Sequence, residues 1–226
     1  MKNILLVIFS AISINSFGQA WTDYKVDSNL TLMIPGNYKA QDTSGQRVIK
    51  AEIDNGLILI SILANSGELS MNVESEEELL KVYKGFEKGY VNSQHGQLIK
   101  DEIIENSGLK MIRFSFRAAM SGEKQIRHCT AVFVNDKMYS INFLEVESLT
   151  NEMAEQREKL FSSLKFSPNL GRKNQMSYKQ ENDKAYNQGL LLGKITIALI
   201  IGLGVWVSSR RKKKKVFAKP ISKRDI

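Results

Sequence analysis

The chain has 226 residues, 42% hydrophobic and 25% charged, which fits a globular protein and is too polar for one with many membrane spans. Its net charge of +8 is confined to the tail from Ser209 to Ile226, where nine Lys and Arg stand against one acid, Asp225. The remainder is neutral, which excludes the spread basic face that nucleic-acid binding needs, and the single cysteine, Cys129, excludes an intramolecular disulfide.

In chain order, Met1-Lys2-Asn3, the apolar run Ile4–Ile14 and Ser16-Phe17-Gly18 before Gln19 read as a secretory signal, residues 1–18, cleaved after Gly18. The run is about half the ~20 residues a membrane span requires. Residues 19–166 then read as one extracytoplasmic domain, about 150 residues and large enough for its own core. Tyr24–Val26 and Leu30–Ile34 form a hairpin across Asp27-Ser28-Asn29, and Pro35-Gly36-Asn37 ends the second strand. Val48–Ile53 and Leu57–Leu63 flank Asp54-Asn55-Gly56, an Asn-Gly hairpin signal because both residues tolerate positive φ.

A helix follows from Ser75 to about Ser93. Ser75 and Glu78 have capping-box spacing, and Leu79, Tyr83, Phe86 and Tyr90 recur as one apolar stripe. Four strands come next: Leu98–Ile104, Leu109–Met120, Gln125–Val134 and Lys137–Val146, with turns at Ser107-Gly108, Gly122 and Asn135-Asp136. Ile112, Phe114, Phe116 and Ala118 alternate with Met111, Arg113, Ser115 and Arg117. Tyr139, Ile141 and Phe143 alternate with Ser140 and Asn142. Period two with a greasy and a polar face predicts antiparallel strands covered chiefly on one side. A closing helix starts near Thr150, with Met153, Leu160, Phe161 and Leu164 toward the core.

The predicted class is therefore α+β: an antiparallel sheet with a long helix after the fourth strand and a closing helix. Residues 167–188 are polar and read as a tether. Residues 189–208 read as a transmembrane helix, since Leu190–Ser208 covers roughly 28 Å and carries only Lys194 as a charge. Arg210, Arg211, Lys212, Lys213, Lys214 and Lys215 open the basic tail, 209–226. They place it in the cytoplasm and against anionic lipid. Gly189/Gly193 and Ala198/Gly202 are small-residue pairs through which two such helices could form a homodimer. The two ends agree on an inner-membrane, single-pass protein with a periplasmic domain.

Three phrases carry a resemblance. Leu30-Thr31-Leu32-Met33-Ile34-Pro35, Lys137-Met138-Tyr139-Ser140-Ile141-Asn142-Phe143 and the closing Ser162-Ser163-Leu164-Lys165-Phe166 resemble PsbP-like domains and their bacterial relatives. The leader resembles those of exported proteins of Bacteroidota-type bacteria. The domain resemblance implies an α-β-α sandwich without a shared catalytic apparatus, whose members tend to be binding or assembly accessories.

The residues offer little chemistry of their own. His95 precedes Gly96 at a helix end, a surface position. His128 and Cys129 are strand neighbours and point to opposite faces, with Cys129 aligned to Ala131 and Phe133 as core. The Ser-Gly pairs are turns, without a nucleophile elbow. No metal or cofactor is expected. Arg113, Arg117 and His128, with Ser115 and Asn142, are placed on the solvent face of the last four strands as a candidate ligand site for an anion or acidic partner. The reading is a non-catalytic, membrane-tethered binding or accessory domain with a membrane or periplasmic protein partner. The alternatives are a hydrolase-like enzyme with an unrecognised site, and a sensor signalling through the basic tail.

Overall fold

The computed structural model describes residues 20–43, 46–65, 72–120 and 122–177. The signal segment, the expected transmembrane helix, its small-residue pairs and the basic tail lie outside them. Among the described residues no helix is long and apolar enough to cross a membrane. The strands are β1 (Trp21–Lys25), β2 (Leu30–Pro35), β3 (Tyr38–Thr43), β4 (Gln46–Ile53), β5 (Gly56–Ala64), β6 (Gln97–Asn106), β7 (Leu109–Met120), β8 (Glu123–Val134), β9 (Lys137–Val146) and β10 (Lys165–Phe166). The helices are α1 (Glu76–Ser93), after β5, and α2 (Ala154–Ser162), after β9, with 3-10 turns at Glu147–Leu149 and Arg172–Gln175.

Seven strands form one antiparallel sheet in the order β3-β4-β5-β9-β8-β7-β6, and β1-β2-β10 form a smaller one. The α+β class stands, with two corrections. The long helix follows the fifth strand, because Tyr38–Thr43 is also a strand. The large sheet is also covered on both faces. On one side Ile58, Ile60, Tyr139, Ile141 and Phe143 pack with α2 and the small sheet. On the other, Leu59, Phe114, Phe116, Cys129 and Phe133 pack with α1. These are called the α2 face and the α1 face below. Strands β5, β8 and β9 are thus buried on alternate sides, and their near-continuous apolar runs follow from that.

The local signals act as their chemistry requires. Glu78 N donates to Ser75 Oγ at 3.2 Å and Ser75 N donates to Glu78 Oε2 at 3.2 Å, closing the capping box. Leu79, Tyr83, Phe86 and Tyr90 are all buried beneath α1. Asn135 and Asp136 both take positive φ, 48° and 57°, as a two-residue hairpin of this hand needs. The β4–β5 turn differs from its expectation. Asn55 takes φ 60°, but Gly56 already pairs with Ile53 in the ladder. A Cβ on Gly56 would come within 2.9 Å of the Leu144 carbonyl oxygen, so close approach of backbone, not positive φ, demands glycine there.

The domain runs past Phe166. Phe166 and Lys165 pair with Leu30 and Thr31 of β2. Val73 and Ser177 exchange backbone bonds of 2.9 Å, and Gln175 is fully buried. Residues 167–177, read from polarity as tether, are therefore part of the fold. The rest of that stretch, 178–188, lies outside the described residues.

Candidate functional site

Alternation along β7 and β8 sends Arg113, Ser115, Arg117 and His128 to the same side. The β7–β8 register sets Ser115 opposite His128, Arg113 opposite Thr130 and Arg117 opposite Ile126. The sequence grouping of these four side chains is therefore correct. Asn142 does not join them. It stands opposite Cys129 on the α1 face, where its Nδ2 donates to the Leu59 carbonyl at 3.1 Å. Much of the shared face is closed to solvent, because α2 lies against it and Arg113 sits 5.7 Å from the centre of the Phe161 ring, while Arg117 stays exposed at its end.

The polar groups on this face form one connected line. His128 Nδ1 is 2.8 Å from Ser115 Oγ, and its Nε2 is 3.1 Å from Glu145 Oε1. Arg157, from α2, donates through Nη1 to both Glu145 oxygens, at 2.6 and 2.8 Å, and to the Thr150 carbonyl at 3.2 Å. Glu145 is buried, so its carboxylate needs these partners. A carboxylate can only accept, so Nε2–H donates to Glu145, while Nδ1 and the Ser115 hydroxyl share the other bond. Nearby, Arg117 Nε donates to Glu147 Oε1 at 2.5 Å.

Serine, histidine and a carboxylate in sequence is the connectivity of a nucleophilic relay. Ser115 is only 4% exposed, and the acid is neutralised by Arg157. The line pins α2 to the sheet. A second polar cluster does the same for the N-terminal hairpin. Asp27 accepts from Tyr139 Oη at 2.6 Å, Lys137 Nζ at 3.0 Å and Asn29 N at 2.8 Å. Burial opposes the Asp27 carboxylate, but these bonds outweigh it and hold its pKa below the ordinary value.

Cys129 and His95 fall where the sequence placed them. Cys129 is fully buried, and burial pushes its thiol well above the ordinary range, so it is inert. His95 is exposed and takes a positive φ of 49° just after α1, the position glycine usually fills. Among the described residues no three His, Cys, Asp or Glu side chains converge as metal ligands. The basic residues Arg210–Lys215 lie outside the described residues. The sequence reading missed Glu145, Glu147 and Arg157. Each is an ordinary charged residue in a helical or strand-end stretch, and only the tertiary packing brings them to His128 and Arg117.

No protein-family model matches the chain, and a search of curated proteins finds no match. Among solved structures it is similar to the cyanobacterial PsbP protein, CyanoP, of Synechocystis, with a TM-score of 0.49 and 11% identity over 68% of this chain and 96% of that one. It is also similar to LpqN of Mycobacterium tuberculosis, described as involved in cell envelope biogenesis, with a TM-score of 0.43 and 12% identity over 66% and 91% of the two chains. The Saccharomyces cerevisiae Ran-binding protein Mog1p follows, with a TM-score of 0.39 and 7% identity over 65% and 95%. At such scores and identities the likeness carries no argument about function, which is made from the residues themselves.

Proposed function

We propose that this chain is a membrane-tethered extracytoplasmic domain that acts as a binding or accessory subunit through contacts with another protein. The observation that carries the reading is how the reactive side chains are used. Ser115, His128, Glu145 and Arg157 join α2 to the sheet, and Arg117 is engaged by Glu147. The chemistry-bearing groups thus hold the scaffold together, which leaves its outer surface as the working part. The address comes from the sequence: a leader over residues 1–18, the apolar stretch Leu190–Ser208, and Arg210–Lys215 retained on the cytoplasmic side and touching anionic lipid.

In-cell crosslinking of the full-length chain in its host, with a version lacking residues 190–226 as control, tests this reading. One stoichiometric membrane or periplasmic protein, lost in the control, is the expected result. Crosslinks only to itself, or none, would overturn it. The hydrolase reading draws on one observation, the Ser115–His128–Glu145 line. It requires the serine to become accessible, so labelling by a fluorophosphonate probe that vanishes in Ser115→Ala would revive it.

A further inference from the structure

We infer that Arg127 anchors a binding site for a carboxylate carried on a small apolar body, on the α1 face of the sheet beside the last turn of α1. The inference goes beyond the accessory reading and does not depend on it. Among the described residues three charged side chains are buried: Glu87, Glu145 and Arg127. Glu145 meets Arg157, and Glu87 meets Lys84. Arg127, 5% exposed, forms no ion pair with any described residue. Its Nη2 donates to Gln125 Oε1 at 3.0 Å, while Nε is buried without a hydrogen-bond partner. The last turn of α1, where Tyr90 lies edge-on to Phe116 with ring centres 5.7 Å apart, supplies the partial negative charge of a helix end. None of its carbonyls accepts from Arg127, so that charge is a weak substitute for a carboxylate. A buried guanidinium without a counter-charge costs stability, and an apolar side chain of similar length would remove the cost. Groups held against stability mark working sites.

The surroundings define the occupant. The register sets Leu57, Leu144, Arg127, Phe116 and Leu98 side by side across β5, β9, β8, β7 and β6. Phe116 and Leu144 are core, Leu57 is half-buried and Leu98 is 40% exposed. On the same face the next row toward the β7–β8 turn is Ala118, Gln125 and Val146, of which Gln125 and Val146 are half-buried. The bond to Gln125 therefore turns the guanidinium toward the less covered row, and a ligand approaches from there. Arg127 supplies one positive charge and a free Nε–H donor, which suit a monoanionic carboxylate better than a phosphate dianion. Leu57 and Val146 flank the approach with apolar surface, so the rest of the molecule is apolar.

The test uses the full-length chain in zwitterionic micelles, with hexanoate as the probe. Without the probe, the urea midpoint of Arg127→Met should lie above that of the native chain, because an uncompensated buried charge is gone. Hexanoate should raise the native midpoint saturably and leave that of Arg127→Met unmoved. On the native chain it should also shift the Arg127 Nε–H resonance, identified by its loss in the variant. Acetate has the charge without the body and hexanol the body without the charge, and each should bind at least about tenfold more weakly than hexanoate. A lower midpoint or a failure to fold in Arg127→Met would overturn the inference, since the fold itself would then use the charge. So would a native midpoint or resonance that hexanoate does not move, an equal response of the two proteins, or equal binding of acetate or hexanol.

Discussion

Lys110 and Phe133 stand where the β7–β8 ladder would continue two residues beyond the pair Ile112 and Ala131. Their backbones do not meet. Lys110 N donates to Gln175 Oε1 at 2.8 Å, and Gln175 Nε2 donates to the carbonyls of Lys110 and Phe133 at 2.7 and 3.1 Å. The Tyr83 hydroxyl completes the exchange, accepting from Phe133 N at 3.0 Å and donating to Lys110 O at 2.7 Å. One side-chain amide and one phenol thus fill an opened rung of the sheet. Gln175→Ala would orphan buried backbone groups on both strands, and chemical denaturation should show a loss on the order of 3 kcal/mol. Glu145→Ala should cost roughly as much, since it leaves Arg157 and His128 facing a vacated site. Asp27 adds a pH dependence. Its pKa is lowered in the folded state, so its contribution is present above the ordinary aspartate value and is lost as pH falls through the folded one. Between about pH 5 and 2 the urea midpoint of the native chain should fall more steeply than that of Asp27→Asn. Glu87, whose pKa burial raises, titrates with the opposite sign. It is common to both proteins, so the difference between them isolates Asp27.

The helix α1 shows how local signals become a layer. Its capping box fixes the start, and its apolar stripe lies on the aromatic pairs Phe86–Phe114 and Tyr90–Phe116, with ring centres 6.3 and 5.7 Å apart. Ser75→Ala should lower stability by about 1 kcal/mol without changing the fold, checked by thermal unfolding and circular dichroism. Elements of this kind were legible in the sequence because periodicity and turn chemistry are local. The strand β3 was not, for it is an edge strand whose residues 38–42 are exposed and mostly polar, with no alternation to read. The candidate site was half legible. Parity along β7 put Arg113, Ser115 and Arg117 together, and His128 joined them. Asn142 was misplaced because β9 is buried on both faces, so its apolar residues do not mark the side that matches those of β7. Glu145 and Arg157 reach His128 through register and helix packing, which no single stretch encodes.

At the scale of the whole molecule, the two ends of the described chain hold each other. The hairpin β1–β2 is completed by β10, and Ser167 N donates to the Asn29 carbonyl at 3.0 Å. Asn29 in turn donates from Nδ2 to the Tyr139 hydroxyl at 2.8 Å, beside Asp27. The chain then crosses to the β8–β9 turn, where Asn135 N donates to Asn174 O at 2.7 Å, and reaches the opened rung with Gln175 before pairing Ser177 with Val73. The last eleven described residues, 167–177, therefore connect the small sheet, the β8–β9 turn and the segment leading into α1. A chain ending after Ser177 should unfold in one cooperative transition. One ending after Phe166 should lose several kcal/mol, because the buried Lys110 and Phe133 groups go unpaired. Its hydrogen exchange should rise first at the start of β7 and the end of β8. Equal midpoints for the two truncations would show that residues 167–177 merely rest on a finished domain. The expected difference sets the domain boundary at Ser177, leaving twelve residues before Leu190. Fully extended, that length reaches only about 40 Å, so a membrane-spanning Leu190–Ser208 would keep the domain close to the bilayer surface.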